Sequence, residues 1–264
     1  GAATLLEGIV ARKNQVRKMI VASSMSIYGE GKYQCGHCGP QPVTLRPEVQ
    51  LQKHQWELAC PHCGMVMKPL PTDEKKPIQP TSIYAIGKRD HEEMVLSIGA
   101  AYKIPAVALR YFNVYGTRQA LSNPYTGVAA IFSSRLLNKK APVIYEDGLQ
   151  SRDFIHVSDI VQANLLALED PRADHQVFNV GSGEAQTIKG VAETLARHLN
   201  LDIKPQIEEK FRAGDVRHCF SDITKISSLL GYRPRIRFAD GVKELVSWVK
   251  SQTAQDRSDE AAQE

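Results

Sequence analysis

The sequence has no long apolar run, no large excess of either charge and few aromatic residues, and each lack removes a class of function. No stretch approaches the roughly 20 apolar residues that a membrane helix requires. The net charge is +4 over 264 residues, too small to argue for nucleic acid or a membrane surface as partner. The first residues, Gly1 to Glu7, carry an acid where a secretory leader carries bases, and no cleavage site follows. These lacks point to a cytoplasmic globular protein, long enough for one large domain or two small ones. Cysteine is sparse as well: of five, four form two tight pairs suited to a metal, and Cys219 stands apart.

What is present centres on Ser82-Ile83-Tyr84-Ala85-Ile86-Gly87-Lys88. Tyr84 and Lys88 are one helical turn apart, so both side chains share a face. A free phenol has a pKa of about 10 and is a poor base at neutral pH. A neighbouring ammonium favours the phenolate, which makes the couple a candidate proton shuttle for an alcohol or ketone. The same spacing also describes an exposed aromatic beside a solvated lysine. Thr81 or Ser82 is placed to cap this helix, which is expected to run to about Ala101.

The flanking chain alternates helix and strand. Residues 1–13 read as an amphipathic helix with Leu5, Leu6, Ile9 and Val10 on one side. Lys18 to Ser24 reads as a buried strand. It runs into the loop Ser23-Ser24-Met25-Ser26-Ile27-Tyr28-Gly29, polar residues where open α/β sheets place their chemistry, or else a serine-rich turn. After the shuttle helix, Ala106 to Phe112 is a second buried strand ending in Asn113-Val114-Tyr115-Gly116. The order implies a parallel sheet. Further on come a helix over Thr126 to Leu137, a short strand Pro142 to Tyr145, a helix to about Leu168, a strand Val177 to Val180, a helix opened by Thr187, an irregular stretch Lys204 to Arg217, and helices over Ile223 to Leu230 and Phe238 to Val249. Ser251 to Glu264 is polar and expected to fray.

Residues 34–70 read as an insertion. Cys35-Gly36-His37-Cys38-Gly39 and Cys60-Pro61-His62-Cys63-Gly64 are two copies of one knuckle, separated by the 21 residues 39 to 59. Each Cys-x-x-Cys turn aims two thiolates at one centre, so together they predict a closed, structural four-sulfur zinc site. Two redox dithiols, or a ribbon without metal, are the other readings. His37 and His62 are expected to be exposed spacers, and Trp56 to pack over the ribbon. Across the insertion, Lys53, Lys68 and Arg46 face Glu48 and Glu57, which argues against a nucleic-acid surface. Lys68 to Pro80, with four prolines, is a non-helical return segment.

In this order the motifs resemble the extended short-chain dehydrogenase/reductases, specifically the nucleoside-diphosphate-sugar epimerase and dehydratase family. The residues that carry the resemblance are Ser23 to Gly29, Tyr84 to Lys88, Arg110-Tyr111-Phe112-Asn113-Val114-Tyr115-Gly116, Ser151-Arg152-Asp153-Phe154-Ile155-His156-Val157 and Phe178-Asn179-Val180-Gly181. The resemblance implies an α/β fold: a partial Rossmann-type parallel sheet in 1–33 and 71–115, interrupted by the zinc ribbon at 34–70. Residues 116–264 would form mainly an α/β substrate domain, with 151–182 returning to the Rossmann sheet. It implies roles at matching positions. Ser24 would bind the reacting sugar oxygen, Tyr84 would be the general base and acid, and Lys88 would bind the nicotinamide ribose of NAD (or NADP). Asn113 would contact the diphosphate region of a nucleoside-diphosphate sugar, and Arg152 and Arg217 would clamp phosphates. Asn113 as a turn cap, and Arg152 paired with Asp153 or Asp159, remain open.

Dehydratases of the family carry a carboxylate just after the catalytic hydroxyl residue. Here Met25 and Ser26 stand there, which favours a 4-epimerase over elimination of water. A keto-sugar reductase would use the same residues with net consumption of cofactor. A catalytically silent module, whose ribbon grips a partner, is the reading from another class. The resemblance also implies a homodimer through helices near 1–13 and 84–101. One departure stands out: the family's glycine-rich dinucleotide turn is absent, and Gly181-Ser182-Gly183 lies too late to replace it. The expectation is a chain lacking the first part of the nucleotide-binding half, without tight NAD binding.

Overall fold

The computed structural model describes residues 1–12, 15–121, 127–212 and 214–252. In chain order, helix α1 (Ala2–Ala11) leads to strand β1 (Met19–Ser24), which runs directly into a single 3-10 turn, Met25–Tyr28. The insertion follows with β2 (Lys32–Cys35), β3 (Gly39–Gln41), the short helix α2 (Glu48–Gln52) and β4 (Lys68–Leu70). Helix α3 (Ile83–Tyr102), β5 (Ala106–Tyr111) and β6 (Asn113–Tyr115) return the chain to the main body. Then come α4 (Val128–Leu137), β7 (Val143–Ile144), β8 (Ser151–Arg152), β9 (Phe154–His156), α5 (Val157–Glu169) and β10 (Val177–Val180). The chain continues with β11 (Gln186–Thr187), α6 (Ile188–Leu199), β12 (Gln206–Ile207), β13 (His218–Cys219), α7 (Thr224–Leu230) and α8 (Phe238–Lys250).

The main sheet is parallel, in the order β1-β5-β10. Its central strand is apolar on both faces: Ala106, Val107, Ala108 and Leu109 are all fully buried, as expected of a parallel strand covered by helices on each side. Helix α3 lies against it so closely that a Cβ at Gly99 would stand 2.5 Å from that of Ala106, so only glycine fits there. This is a Rossmann-type α/β architecture. Beside it, a second apolar core joins α4, α6 and α8 through Phe132, Leu136, Val191, Leu195, Val242 and Leu245. Between the two cores, β6 pairs with β9 in parallel, and β8 lies between β11 and β13.

A buried polar network ties the sheet to α3. In register, Arg110 of β5 has Ser23 of β1 on one side and Asn179 of β10 on the other. Arg110 forks onto Glu92 of α3, at 2.5 Å from Nη2 to Oε1 and 3.1 Å from Nε to Oε2. Ser23 Oγ donates to the same carboxylate at 2.6 Å. The other Arg110 nitrogen donates to the Tyr28 hydroxyl, which in turn donates to Asn179 Oδ1, each at 2.7 Å. Burial drives the Tyr28 phenol well above its ordinary pKa, against the opposing pull of Arg110.

Several sequence expectations need adjusting. On α1 only Leu6 is buried, while Leu5 is exposed. Adjacent helical residues point about 100° apart, so both cannot face α3. Trp56 is buried but stacks on His54, with ring centroids 5.2 Å apart. The irregular stretch before Arg217 contains the two-residue strand β12, paired with β7. The expected helix at Thr126 to Leu137 starts at Val128, and Thr126 itself lies outside the described residues, as do 253–264 of the polar tail. Ser82 rather than Thr81 caps α3, its Oγ accepting from the Ala85 N–H at 3.1 Å, and Thr187 caps α6. Among the described residues no helix is long and apolar enough to cross a membrane.

Candidate active site

The carboxyl ends of β1 and β5 open onto a cleft of about 420 Å³. Helix α3 forms one wall and the start of α4 another. Ser24, Tyr84, Lys88 and Asn113 all line this cleft. Four residues spread over 90 positions of sequence therefore converge on one cavity, because a parallel sheet places successive strand ends at the same edge.

Tyr84 projects from the first turn of α3 and is 61% exposed, with no hydrogen-bond partner for its hydroxyl among the described residues. Lys88 Nζ lies 5.8 Å from the Tyr84 ring centroid and donates to the carbonyl of Ala22 on β1 at 2.9 Å. That single bond leaves two ammonium hydrogens available to the cleft. Ser24 ends β1 and is nearly buried; its Oγ accepts from the Ser26 N–H at 3.2 Å and from the Ser26 hydroxyl at 2.9 Å. Asn113 caps no turn. Its backbone N–H donates to the Asp153 carbonyl, and its Oδ1 is buried without a partner among the described residues. A buried acceptor left unpaired is costly, so it marks a place where a ligand donor is expected.

Sequence reasoning overlooked Gln119, which lines the same cleft and whose Nε2 is likewise buried without a partner among the described residues. Its one sequence signal is a polar side chain shortly past the strand-end Gly116. No described residue lining the cleft is an aspartate, glutamate or histidine; the proton-transferring side chains there are Tyr84, Lys88 and Tyr111. Tyr111 is already engaged, donating to Asn164 Oδ1 at 2.9 Å.

The two arginines fare differently. Arg152 lines a neighbouring cavity of about 510 Å³ that shares Val128 with the first and is also lined by Tyr145, Lys210 and Arg212. The Arg152 guanidinium donates to the carbonyls of Ser151, Arg217 and Val216, and pairs with neither Asp153 nor Asp159. Arg217 lines neither cavity and is completely buried. Its five N–H donors are all used: two on Glu57, one on Glu146 and two on Asp147. As it stands here, the residue expected as a phosphate clamp faces three carboxylates, one of them from the insertion, and reaches neither cavity.

The turn Gly181-Ser182-Gly183 is also occupied. The N–H groups of Ser182 and Gly183 donate to the Asp153 carboxylate at 2.8 and 2.9 Å, so this turn already carries a protein anion and has no room for a phosphate. In the insertion, the sulfurs of Cys35, Cys38, Cys60 and Cys63 lie within 4.8 Å of one another, and His37 and His62 are exposed.

Fold and cleft together define a Rossmann-type protein in which a tyrosine and a lysine of one helix face a polar pocket at the sheet edge. Residues 64–245 match the family described as GDP-mannose 4,6 dehydratase. The chain is 34% identical to dTDP-L-rhamnose 4-epimerase of Burkholderia thailandensis, over 94% of this chain and 67% of that protein. It superposes on UDP-N-acetylglucosamine 4-epimerase of Methanobrevibacter ruminantium M1, solved with UDP-N-acetylmuramic acid, with a TM-score of 0.74 and 31% identity over 96% of this chain and 68% of the other. For UDP-glucose 4-epimerase of Thermus thermophilus, solved with NAD, the TM-score is 0.71 and the identity 27%, over 96% and 69%. The chain thus spans about two thirds of the length of each of these relatives. It belongs to the extended short-chain dehydrogenase/reductase family of nucleoside-diphosphate-sugar epimerases and dehydratases.

Proposed function

We propose that this chain carries the acid–base and sugar-binding part of an NAD-dependent epimerase that inverts C4 of a nucleoside-diphosphate sugar. The observation that carries the reading is the cleft itself: Tyr84 and Lys88 beside Ser24 and the unpaired Asn113 Oδ1, with no carboxylic acid among the described lining residues. Loss of water from a sugar needs an acid for the leaving hydroxyl, and Met25 and Ser26, which line this cleft, cannot serve. One proton shuttle suffices for reversible oxidation at a single carbon.

NAD, when bound, supplies the transient acceptor and donor of the hydride and ends the cycle unchanged. The residues present fit its nicotinamide end, since Lys88 keeps two donors for a ribose hydroxyl. Tyr84 takes the proton of the sugar C4 hydroxyl and later returns it, while Ser24 holds the reacting oxygen. Asn113 Oδ1 accepts from the substrate beside the diphosphate, and Arg152 with Arg212 offers cationic groups to a diphosphate in the adjoining cavity, which the carboxylates of Glu146, Glu208 and Asp215 also line. The relatives named above, epimerases of dTDP-rhamnose, UDP-N-acetylglucosamine and UDP-glucose, support the same substrate class. The exposed apolar residues Leu5 on α1 and Ile86 on α3 support a homodimer through these two helices.

The test is a proton NMR assay of the complete gene product with NAD and a panel of UDP- and dTDP-sugars. Inversion of the C4 proton signal without net NADH is expected. Tyr84→Phe is expected to lower turnover about 100-fold or more, the usual worth of a positioned acid–base group. Net oxidation of NADH with a 4-keto sugar would select a reductase. Turnover of Tyr84→Phe within about threefold of the unaltered protein would sink the assignment of the shuttle.

A further inference from the structure

A buried charged network ties the insertion to the body. Its own apolar cluster has six buried members, Tyr33, Cys35, Val43, Leu58, Cys60 and Met67, too few to hold a ribbon of this length unaided. Next to that cluster stand the four thiols, all free, with Cys35 and Cys63 sulfurs 3.5 Å apart. A tetrahedral zinc with bonds of about 2.3 Å separates its sulfurs by about 3.8 Å, so the cluster has the dimensions of a closed tetrathiolate site.

From the same ribbon two charged side chains reach into the body. Arg46 forks onto Glu146, at 3.0 Å from Nη1 to Oε2 and 2.8 Å from Nη2 to Oε1, and also donates to the Asp215 carbonyl at 3.1 Å. Glu57 accepts two bonds from Arg217 and lies 3.1 Å from His218 Nε2. The Ser151 N–H donates to His218 Nδ1 at 3.2 Å, and the Nε2 edge of the ring faces Glu57. Glu146 and Asp215 line the Arg152 cavity, so the ribbon grips the back of that cavity's wall. Glu146 is held at φ +55°, a left-handed backbone that is unfavourable for any residue but glycine. Its side chain is nearly fully buried between Arg46 and Arg217, and that pairing offsets the strain.

We propose that Cys35, Cys38, Cys60 and Cys63 bind one zinc ion, and that this ion keeps Arg46 and Glu57 locked on Glu146 and Arg217, so that a metal outside the Arg152 cavity sets its shape. With zinc bound, Arg217 stays saturated by carboxylates and the cavity wall is fixed. Without zinc, the ribbon has no core to hold it, Glu57 and Arg46 withdraw, and Arg217 regains donors for an anion. That the cavity takes a nucleoside diphosphate rests on the function proposed above; the zinc brace does not.

Elemental analysis of freshly purified protein is expected to give one zinc per chain, and less than half an equivalent, or iron in its place, overturns the metal assignment. Hydrogen exchange is then followed with and without chelator. Removal of zinc is expected to speed exchange at least tenfold in 144–152 and 214–219, the segments that carry the partners of Arg46 and Glu57. Unchanged exchange there overturns the brace. Arg46→Met, which spares every cysteine, is expected to keep its zinc yet show the same acceleration; slow exchange in this variant also counts against the brace. UDP binding by calorimetry is the ligand arm, with at least fivefold weaker or stronger binding expected in Arg46→Met. If the unaltered protein binds no UDP while exchange still responds to zinc, the functional reading fails and the brace stands.

Discussion

Replacing Glu92 by leucine removes the carboxylate that anchors α3 to the sheet. The side chains of Glu92 and Arg110 are 4% and 5% exposed, so the guanidinium left behind has no water to turn to. Removing one partner of such a pair generally costs about 3–5 kcal/mol, because the other charge stays buried alone. Ser23 also loses its acceptor, worth about 1 kcal/mol more. For a chain of this size each kcal/mol lowers Tm by about 2–4 °C, so a fall of roughly 8–24 °C is expected. Thermal melting, with urea unfolding as a second measure, reads the change. The control is the double variant Glu92→Leu with Arg110→Met, which replaces both charges by apolar groups. It is expected to melt above the single variant, since no unpaired charge remains. A single variant within about 1 kcal/mol of the unaltered protein, or a double variant less stable than the single, would refute this account of how α3 is held.

Three further outcomes are expected. Asn113→Ala should weaken binding of a nucleoside-diphosphate sugar about tenfold in calorimetry with little change in Tm, because the lost Oδ1 has no partner among the described residues. Gln119→Ala should do the same, and a large loss of Tm in either variant would mean that the side chain serves the fold instead. The third concerns pH. Burial works against the Glu57 carboxylate, but His218 and Arg217 outweigh it and bring its pKa down from 4.5 to about 2. A lowered pKa stabilises the docked ribbon fully above 4.5, and the contribution fades as pH falls from there toward 2. Hydrogen exchange at residues 214–219 should therefore quicken across that acid window, and Glu57→Gln should weaken this dependence, leaving the part due to Asp147, whose carboxyl Arg217 also holds below its ordinary range.

Much of the architecture can be read from local pattern. The four-residue step from Tyr84 to Lys88 needs only a helix to put both groups on one face, and Ser82 supplies its cap. The strand endings at Ser24 and Asn113 needed only a parallel sheet to meet. Paired cysteines three positions apart announce their own convergence. The carboxylate surroundings of Arg217 were hidden for the opposite reason. Its partners Glu57, Glu146 and Asp147 lie 160, 71 and 70 positions away, and no spacing rule links an insertion to the far end of the chain. Leu5 was misplaced because apolar character alone does not tell which of two adjacent helical residues meets α3. Gln119 went unnoticed because an unpaired amide is a property of its surroundings and leaves no mark in the residue order.

The serine at the end of β1 has its oxygen engaged on two sides by Ser26, once through the backbone and once through the hydroxyl. Both lone pairs of Ser24 are thereby spent, and the one direction left to it is outward, along its own O–H bond. The loop thus turns an ambivalent hydroxyl into a dedicated donor, able to greet an oxygen and indifferent to a proton. Ser26, which touches no reacting atom in this scheme, is what gives Ser24 its polarity.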